Sequence, residues 1–236
     1  LEVTVAMNAG IPVYTVTYNG KVFLKPSPIG MKTNIGDFTK DLSISDKTTQ
    51  KSVDESYSLP NIKKSNVHYQ ATETVLTFNK AEKPVFDVVF RVSNNDVAFR
   101  YKVYPQRDRL SCVVNEETSG FVFPEGTTTF LCPQSKPMVG FARTAPSYET
   151  GYTPDALMGK NGNDNNGFTF PCLFKVGTQG WALISETGVD SRYCGSRLIG
   201  HEGGLYTIGF PMEGENNGNG TASPGMSLPG YTPWRT

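Results

Sequence analysis

The chain is divided into short β-forming runs, and no window longer than about ten residues keeps a helical apolar period free of Gly or Pro. Its 24 glycines and 16 prolines fall mostly between these runs, where turns are expected. Many short strands with turns every ~8–12 residues are typical of a sandwich or a barrel. At 236 residues, the sequence therefore predicts an all-β protein built as a large antiparallel sandwich of two sheets.

Three hairpins are predicted within this pattern. Asn19-Gly20 separates two β-forming runs, and such a pair supplies the positive φ angles of a type I′ turn. A second hairpin is predicted over 85–103 and a third over 170–185, each with a polar or Gly-containing turn between two strand-like runs. Residues 85–92 form a nearly continuous β-branched and aromatic run, whereas in 97–103 the apolar residues share one face and Arg100 and Lys102 point away, as expected where one face of a strand is buried.

Three segments interrupt the strand pattern. Residues 32–64 are rich in Lys, Asp, Ser and Thr, and they predict a long polar excursion. Residues 159–167 and 213–225 consist largely of Gly, Asn and other small polar residues, and they predict loops with little apolar surface to bury. No internal repeat and no interdomain linker are visible, so the sequence predicts one domain over 1–236.

The charge balance restricts the classes of partner. The 22 basic and 22 acidic residues cancel, and no basic stripe stands out, which argues against a nucleic-acid partner. No apolar run approaches the ~18 residues of a membrane-spanning helix. The chain begins at Leu1 without an initiator Met, which is compatible with a removed signal peptide.

Residues able to perform catalysis are scarce. His68 lies in a strand-like run and is interpreted as a partly buried structural residue, and His201 precedes Glu-Gly-Gly as a turn residue. No nucleophile elbow, phosphate loop or dinucleotide fingerprint is present. The four cysteines lack zinc-site spacing and could be buried thiols or form two disulfides; they are Cys112, Cys132, Cys172 and Cys194.

The last residues, 232–236, place Trp234 and Arg235 at the end of the sequence without a polar tail. Trp has one of the largest apolar surfaces of any residue, whereas chain ends are usually solvated. We interpret this run as the edge of a domain, with further polypeptide expected after residue 236. The alternative is a surface Trp packed on its own sheet.

Glu149 lies between Tyr148 and Tyr152 in a segment that is not a regular strand. A carboxylate oxygen is a ligand that calcium prefers, but one carboxylate does not make a calcium site. Nor does it make a glycosidase site, which normally needs two carboxylates flanking the bond. Composition alone therefore favours a solvated surface Glu.

Three runs of sequence resemble the first domain of glycoside hydrolase family 97 enzymes. Residues 12–31 resemble the opening hairpin of that domain, and residues 96–101 resemble a run in its middle. Residues 232–236 resemble the segment that closes it. Their order and approximate spacing agree, and together they span nearly the whole chain, although residues 32–64 and 159–167 have no confident match.

The resemblance implies an N-terminal β-super-sandwich of the galactose-mutarotase-like kind, followed by a catalytic (β/α)8 barrel after residue 236. It implies that Glu149 is a calcium ligand shared with that barrel, and that both catalytic carboxylates lie outside this chain. It also implies exo-acting hydrolysis of α-glucosides or α-galactosides in the periplasm of a bacterium. An apolar interdomain interface is expected around Glu149 and Trp234, and its predicted residues are Tyr148, Tyr152, Trp234 and Arg235.

Two alternatives remain at this point. A free-standing carbohydrate-binding module would need an exposed aromatic platform, for which Trp181, Tyr148 and Tyr152 are candidates. A mutarotase-like sugar isomerase would need an acid–base pair at one site. The two histidines, in their turn-like and strand-like contexts, support that pair poorly.

Overall fold

The computed structural model of the protein describes residues 1–134, 151–159, 166–211 and 223–236. In these ranges the chain forms antiparallel strands and a short 3-10 turn at Glu202–Gly204, and they contain no α-helix. The strands are, in chain order, β1 (Glu2–Asn8), β2 (Ile11–Tyr18), β3 (Lys21–Pro28), β4 (Met31–Thr33), β5 (Gly36–Phe38), β6 (Ser43–Ser58), β7 (Asn66–Lys80), β8 (Lys83–Val92), β9 (Val97–Val103), β10 (Ser111–Glu117), β11 (Gly120–Val122), β12 (Thr127–Pro133), β13 (Ala156–Leu157), β14 (Phe168–Val176), β15 (Gly180–Ile184), β16 (Glu186–Thr187), β17 (Arg197–Gly200), β18 (Leu205–Gly209), β19 (Gly225–Ser227), β20 (Gly230–Tyr231) and β21 (Trp234–Arg235).

The strands assemble into two large sheets and one small sheet. The ten-stranded sheet has the order β1-β2-β3-β11-β18-β17-β14-β12-β13, with β15 paired to β14. The seven-stranded sheet has the order β16-β21-β9-β8-β7-β6, with β20 paired to β9, and the small sheet has the order β19-β10-β4-β5. The prediction of an all-β antiparallel sandwich is confirmed, and the four-stranded sheet is an addition to the two sheets that the sequence predicts.

Aromatic side chains on the inner faces of the two large sheets form much of the core. The ring of Tyr14 on β2 lies 5.3 Å from that of Phe99 on β9, and the Tyr14 hydroxyl donates to the carbonyl of Gly120 over 2.9 Å. Elsewhere in the core, Phe123 stacks on Phe174 at 4.0 Å. These four rings are each at most 2% exposed. Burying a large apolar side chain stabilises a fold by about 1.5–3 kcal/mol.

The three predicted hairpins are confirmed. Asn19 and Gly20 have φ angles of 50° and 74°, as a type I′ turn requires, and they connect β2 to β3. The β8–β9 hairpin closes at the pair Val92↔Val97, within the predicted range 85–103. The β14–β15 hairpin closes at Val176↔Gly180, within the range 170–185.

The prediction that residues 32–64 form a long polar excursion is wrong. Much of this segment is strand, because β6 pairs with β7 along thirteen register positions between Ser43 and Ser58. β6 is the edge strand of the seven-stranded sheet, and most of its side chains are exposed. An edge strand with both faces in water has no apolar alternation, so its sequence lacks the usual signal of a strand.

Other predictions concern the two polar loops, the cysteines and membrane-spanning helices. Within the predicted loops 159–167 and 213–225, residues 160–165 and 213–222 lie outside the described residues. All four cysteines are described and none forms a disulfide, and burial raises the pKa of the Cys112 thiol to about 11. No helix in the described part of the chain is long and apolar enough to cross a membrane.

Candidate functional site

The residues that the sequence singles out lie in different environments. Tyr148 and Glu149 fall outside the described residues, so the assignment of Glu149 as a calcium ligand stays a prediction. Tyr152 is 55% exposed and lies shortly before β13, at one edge of the ten-stranded sheet. Trp234 is half-buried and Arg235 is buried, and together they form β21 of the seven-stranded sheet.

The side chains of β21 point to opposite faces of its sheet. Arg235 pairs with Phe99 of β9, whose ring belongs to the core, so the guanidinium of Arg235 enters the interior of the sandwich. The indole of Trp234 lies on the outer face. The sequence places Arg235 in an interdomain interface, whereas the structure places its charged group inside the domain.

Two carboxylates bind the buried guanidinium. Arg235 Nε and Nη2 donate to the two oxygens of Glu117 at 2.8 and 2.5 Å, and Nη1 donates to Glu186 at 2.6 Å. The side chains of Arg235 and Glu117 have no exposed surface. A planar guanidinium matches a carboxylate through two parallel hydrogen bonds, so this contact fixes orientation as well as distance.

Neutral donors complete the surroundings of Glu117. The Tyr193 hydroxyl donates to one carboxylate oxygen over 2.7 Å, and the Ser119 hydroxyl donates to the other over 2.8 Å. Ser119 also contacts the hydroxyl of Tyr101 at 2.7 Å, and this hydroxyl accepts the N–H of Gly30. The buried carboxylate therefore has a partner on each oxygen, as a charged group out of water requires.

Glu186 is held from the other side of Arg235. Ser196 donates to Glu186 through its N–H at 2.8 Å and its hydroxyl at 2.6 Å. We call the five residues Arg235, Glu117, Glu186, Tyr193 and Ser196 the Arg235 cluster. The cluster joins β10, β16 and β21, so it links β16 and β21 of the seven-stranded sheet to β10 of the small sheet.

The charges of this cluster stabilise one another. Burial raises the pKa of Glu117, but the charge of Arg235 and the hydrogen bonds from Arg235, Tyr193 and Ser119 outweigh it and hold that pKa below its ordinary value. Burial alone lowers the pKa of Arg235, but Glu117 outweighs it and raises that pKa. Both groups are therefore ionised at neutral pH.

Trp234 lies in a row of alternating cations and aromatic rings on the outer face of the seven-stranded sheet. The guanidinium of Arg100 lies 4.3 Å from the ring centres of both Trp234 and Tyr231. Arg91 lies 5.2 Å from Trp234, and Lys102 lies 5.9 Å from Tyr231. A cation over an aromatic ring contributes about 0.5–1 kcal/mol at an exposed site. The cations of this row therefore stabilise the position of the two rings.

The carboxylates of the Arg235 cluster cannot act as a glycosidase pair. In such enzymes two carboxyl groups flank the scissile bond with room for a sugar between them. Here the guanidinium of Arg235 occupies the space between Glu117 and Glu186, and the Glu117 side chain is fully enclosed. The cluster is a structural anchor for the end of the chain.

The histidines also lack a catalytic setting. His68 lies on β7 beside Asp54 at 2.7 Å and is exposed, so the prediction that it is partly buried is wrong. His201 contacts the hydroxyl of Thr207 at 2.8 Å in the ten-stranded sheet. Among the described residues, no group of three or more His, Cys, Asp or Glu side chains could hold a metal ion.

The fold and this site describe an antiparallel β-sandwich domain with an enclosed structural ion-pair cluster. The chain belongs to the family described as "Glycosyl-hydrolase 97 N-terminal", whose family model matches residues 1–236. This confirms the resemblance seen in the sequence.

Two curated relatives are retaining alpha-galactosidases. A "Probable retaining alpha-galactosidase" of Streptomyces bingchenggensis (strain BCW-1) is 31% identical over 220 residues, which are 90% of this chain and 31% of the relative. A "Retaining alpha-galactosidase" of Bacteroides thetaiotaomicron is 27% identical over 197 residues, 80% of this chain and 28% of the relative. The chain thus spans about a third of the length of the curated relatives it matches.

Solved structures show the same fold. A crystal structure of a beta-arabinopyranosidase matches with a TM-score of 0.93 and 53% identity, over 99% of this chain and 37% of that chain. A family 97 enzyme from Pseudoalteromonas sp. strain K8, in complex with panose, matches with a TM-score of 0.80 and 20% identity, over 99% of this chain and 33% of that chain. At 20% identity, the similarity to the Pseudoalteromonas enzyme shows a shared fold only.

Sequence reasoning missed the Arg235 cluster. Glu117 and Arg235 are 118 positions apart, so no local motif connects them. The one signal in the sequence was the position of Arg235 beside Trp234 in a β-forming run. It indicated that this run contacts another surface, but not which of its atoms are buried.

Proposed function

We propose that this chain is the non-catalytic N-terminal domain of an exo-acting glycosidase and that a catalytic (β/α)8 barrel follows residue 236. The observation that carries the proposal is the family match over the whole chain, together with relatives in which the matched part is about a third of the protein. The remaining two thirds of such a chain are long enough for a barrel with insertions and a small domain.

The described residues support a non-catalytic role for this part. Arg235 binds the carboxylates of Glu117 and Glu186. The two histidines are exposed and far apart in the fold, His68 on β7 of the seven-stranded sheet and His201 directly after β17 of the ten-stranded sheet. Chemistry on a glycoside needs an acid and a second carboxylate at one open site. In this proposal, the catalytic acid and the second carboxylate belong to the barrel.

For the substrate of the whole protein, we propose β-arabinopyranosides and α-galactosides rather than α-glucosides. The curated relatives are named alpha-galactosidases, and the solved structure at 53% identity is a beta-arabinopyranosidase. In the L series, a β-arabinopyranoside has the ring configuration of an α-D-galactopyranoside without the hydroxymethyl group. One site could therefore accept both, with the pocket around that group setting the preference.

Two further proposals rest on the family resemblance. Glu149 would supply one calcium ligand at the boundary with the barrel, which would contribute the other carboxylates, because calcium takes ~6–8 oxygen ligands. The protein would act after export, in the periplasm of a bacterium.

The test is hydrolysis by the full-length protein. Purified protein is incubated with aryl β-arabinopyranoside, aryl α-galactoside and aryl α-glucoside at equal concentrations, and kcat/KM is compared. We expect turnover of the first two and little of the third. Preference for the α-glucoside would contradict the substrate proposal, and inactivity on all three would contradict the glycosidase proposal.

A further inference from the structure

A cavity of about 740 Å³ lies beside the small sheet, between the β4–β5 hairpin, the β7–β8 turn and the loop that leads to β10. Among the described residues that line this cavity, four are cations and one is a carboxylate: Lys80, Lys83, Arg107, Arg109 and Asp37. We call it the basic cavity. The whole chain has as many acidic as basic residues, so this excess of positive charge is local.

Three of the four cations have no partner in the protein. Within the described part of the chain, the side chains of Lys83, Arg107 and Arg109 form no hydrogen bond, ion pair or ring contact. The carboxylate of Asp37 is already bound by the N–H and the hydroxyl of Thr39, at 3.0 and 2.6 Å. A cleft lined by charges of one sign concentrates ions of the opposite sign, so the basic cavity attracts anions.

The fourth cation is held in place at the inner end of the cavity. Lys80 is half-buried, and its Nζ donates to the carbonyls of Asp37 and Lys40 at 2.8 and 3.0 Å. Asp41 lies 3.7 Å from the same atom and offsets part of its charge. An ammonium group has three donors, so one N–H of Lys80 is left for a ligand.

A turn with an unusual backbone presents the two arginines. The N–H of Arg109 donates to the carbonyl of Gln106 over 3.1 Å, and Arg107 has a φ of 55° at the second position of this turn. The Gln106 amide donates to the carbonyl of Pro84 over 3.1 Å and so connects the turn to β8. A turn alone is better served by Gly at a positive φ, and strained residues cluster where a side chain has a role. The geometry therefore singles out the Arg107 guanidinium.

Neutral donors accompany the cations. The amide oxygen of Asn34 accepts the N–H of Val113 over 2.9 Å, which leaves the NH2 group of this side chain to donate. The hydroxyl of Ser111 also lines the cavity. Guanidinium groups match carboxylate and sulfate oxygens through paired hydrogen bonds, and amide and hydroxyl groups suit neutral polar groups of a ligand. The volume is that of a site for a small organic molecule rather than for an inorganic ion.

We propose that the basic cavity binds an acidic saccharide, with its sulfate or carboxylate group between Lys83, Arg107 and Arg109. The choice of an anion rests on these cations alone, whereas the choice of a saccharide rests on the proposed function, in which the whole protein acts on glycosides. The basic cavity shares no residue with the Arg235 cluster.

Calorimetric titration of the full-length protein with glucuronate and with glucose 6-sulfate tests this proposal. Glucose and inorganic sulfate are the comparison ligands, and the gluco configuration keeps these sugars from the galactoside site proposed above. We expect at least one acidic sugar to bind with a Kd below ~1 mM, which is in the range for a ligand of this size. Glucose and sulfate should each bind at least about tenfold more weakly, because each makes only part of the contacts.

Two variants locate the binding. Arg109→Gln should weaken it about tenfold or more, since it removes charged hydrogen bonds. Arg107→Gly should weaken it similarly while raising the unfolding midpoint, because Gly adopts a positive φ without strain. The matched control is Arg192→Gln, which removes an arginine paired with Asp190 on the surface and should leave the affinity unchanged.

Three results would overturn the proposal. One is the absence of binding by both acidic sugars up to ~10 mM. Another is an affinity that both cavity variants leave unchanged, which would place the ligand elsewhere. The third is inorganic sulfate binding as tightly as the acidic sugars, which would assign the cavity to a free anion. Binding of an acidic sugar by a protein that hydrolyses none of the three aryl glycosides would leave the site standing and contradict only the proposed activity.

Discussion

At the scale of single residues, Arg235 decides how the last strand of the chain is placed. A buried ion pair adds little net stability over an apolar pair, because removing two charges from water costs several kcal/mol. The two hydrogen bonds from Arg235 to Glu117 nevertheless fix the guanidinium in one orientation. We infer that the cluster fixes the register of β21.

Arg235→Met should destabilise the domain by about 3–5 kcal/mol at pH 7, because Glu117 is then buried without its counter-charge. The pH dependence of the unfolding free energy should also reverse. In the wild type the pKa of Glu117 is lowered, so its contribution is present above the unfolded pKa of about 4.3 and is lost as pH falls through the lower folded value. In the variant, burial raises the pKa of Glu117, and stability should fall as pH rises. Chemical denaturation between pH 4 and 7 measures both slopes.

The matched control is Arg192→Met. Arg192 pairs with Asp190 on the surface, and its side chain is largely exposed, so its loss should leave the unfolding midpoint unchanged. A loss of stability in Arg235→Met that is the same at pH 4 and pH 7 would contradict the role of the Glu117 charge. It would point instead to lost packing of the long arginine side chain.

Glu149→Gln should weaken calcium binding by the full-length protein, since it removes a charged oxygen ligand. The chain 1–236 by itself should bind calcium only weakly, because it would supply one carboxylate of the site. Calorimetric titration measures both, with Glu125→Gln as a control at an exposed turn residue. A submicromolar site in the chain 1–236 that Glu149→Gln abolishes would contradict the sharing of ligands between two domains.

At the scale of elements, the β6–β7 hairpin extends beyond the sheet that holds it. β8 pairs with β7 only from Thr72 onwards, at the pair Thr72↔Val92, whereas β6 and β7 remain paired as far as Ser58↔Asn66. The extension has few buried side chains. It should therefore contribute little to the stability of the core.

Replacing residues 56–68 by Asn-Gly should leave the domain folded, with a change in unfolding free energy below about 1 kcal/mol. Glu55 and Tyr69 are paired, so a two-residue type I′ turn fits between them. Thermal unfolding gives the comparison. Phe78→Ala, in the covered part of the same strand, is the control and should destabilise by about 3–5 kcal/mol, since its ring is fully buried against Phe86. Equal losses would show that the extension is part of the core.

The sequence predicts elements well where an apolar alternation or a turn pair marks them. Asn19-Gly20 identified its hairpin because the turn needs positive φ at both residues. The edge strand β6 was missed because it is held by backbone hydrogen bonds to β7, and its mostly polar, exposed side chains carry no apolar alternation that would indicate a strand. The Arg235 cluster was missed for a related reason: its members come from distant strands, and only the assembled sheets bring them within hydrogen-bond distance.

At the scale of the whole molecule, the outer faces of the two large sheets both place cations beside aromatic rings. Arg91 and Arg100 lie beside Trp234 on the seven-stranded sheet, and Lys175 lies 5.9 Å from the ring of Trp181 on the ten-stranded sheet. The sequence predicts an interdomain interface around Glu149 and Trp234, and this stays a prediction.

The chain 1–236 should fold on its own, because a domain of this size buries about 70% or more of its unfolded surface and has a continuous aromatic core. It should hydrolyse no glycoside, because the carboxylates of the Arg235 cluster are enclosed and the described residues offer no open acid–base pair. Circular dichroism with a cooperative thermal transition checks the first expectation, and incubation with the three aryl glycosides checks the second. Glycoside hydrolysis could persist in the chain 1–236 after repurification and be lost in its Glu149→Gln variant. That result would show that this domain contains a catalytic centre, and it would contradict the proposal that the catalytic residues belong to a barrel.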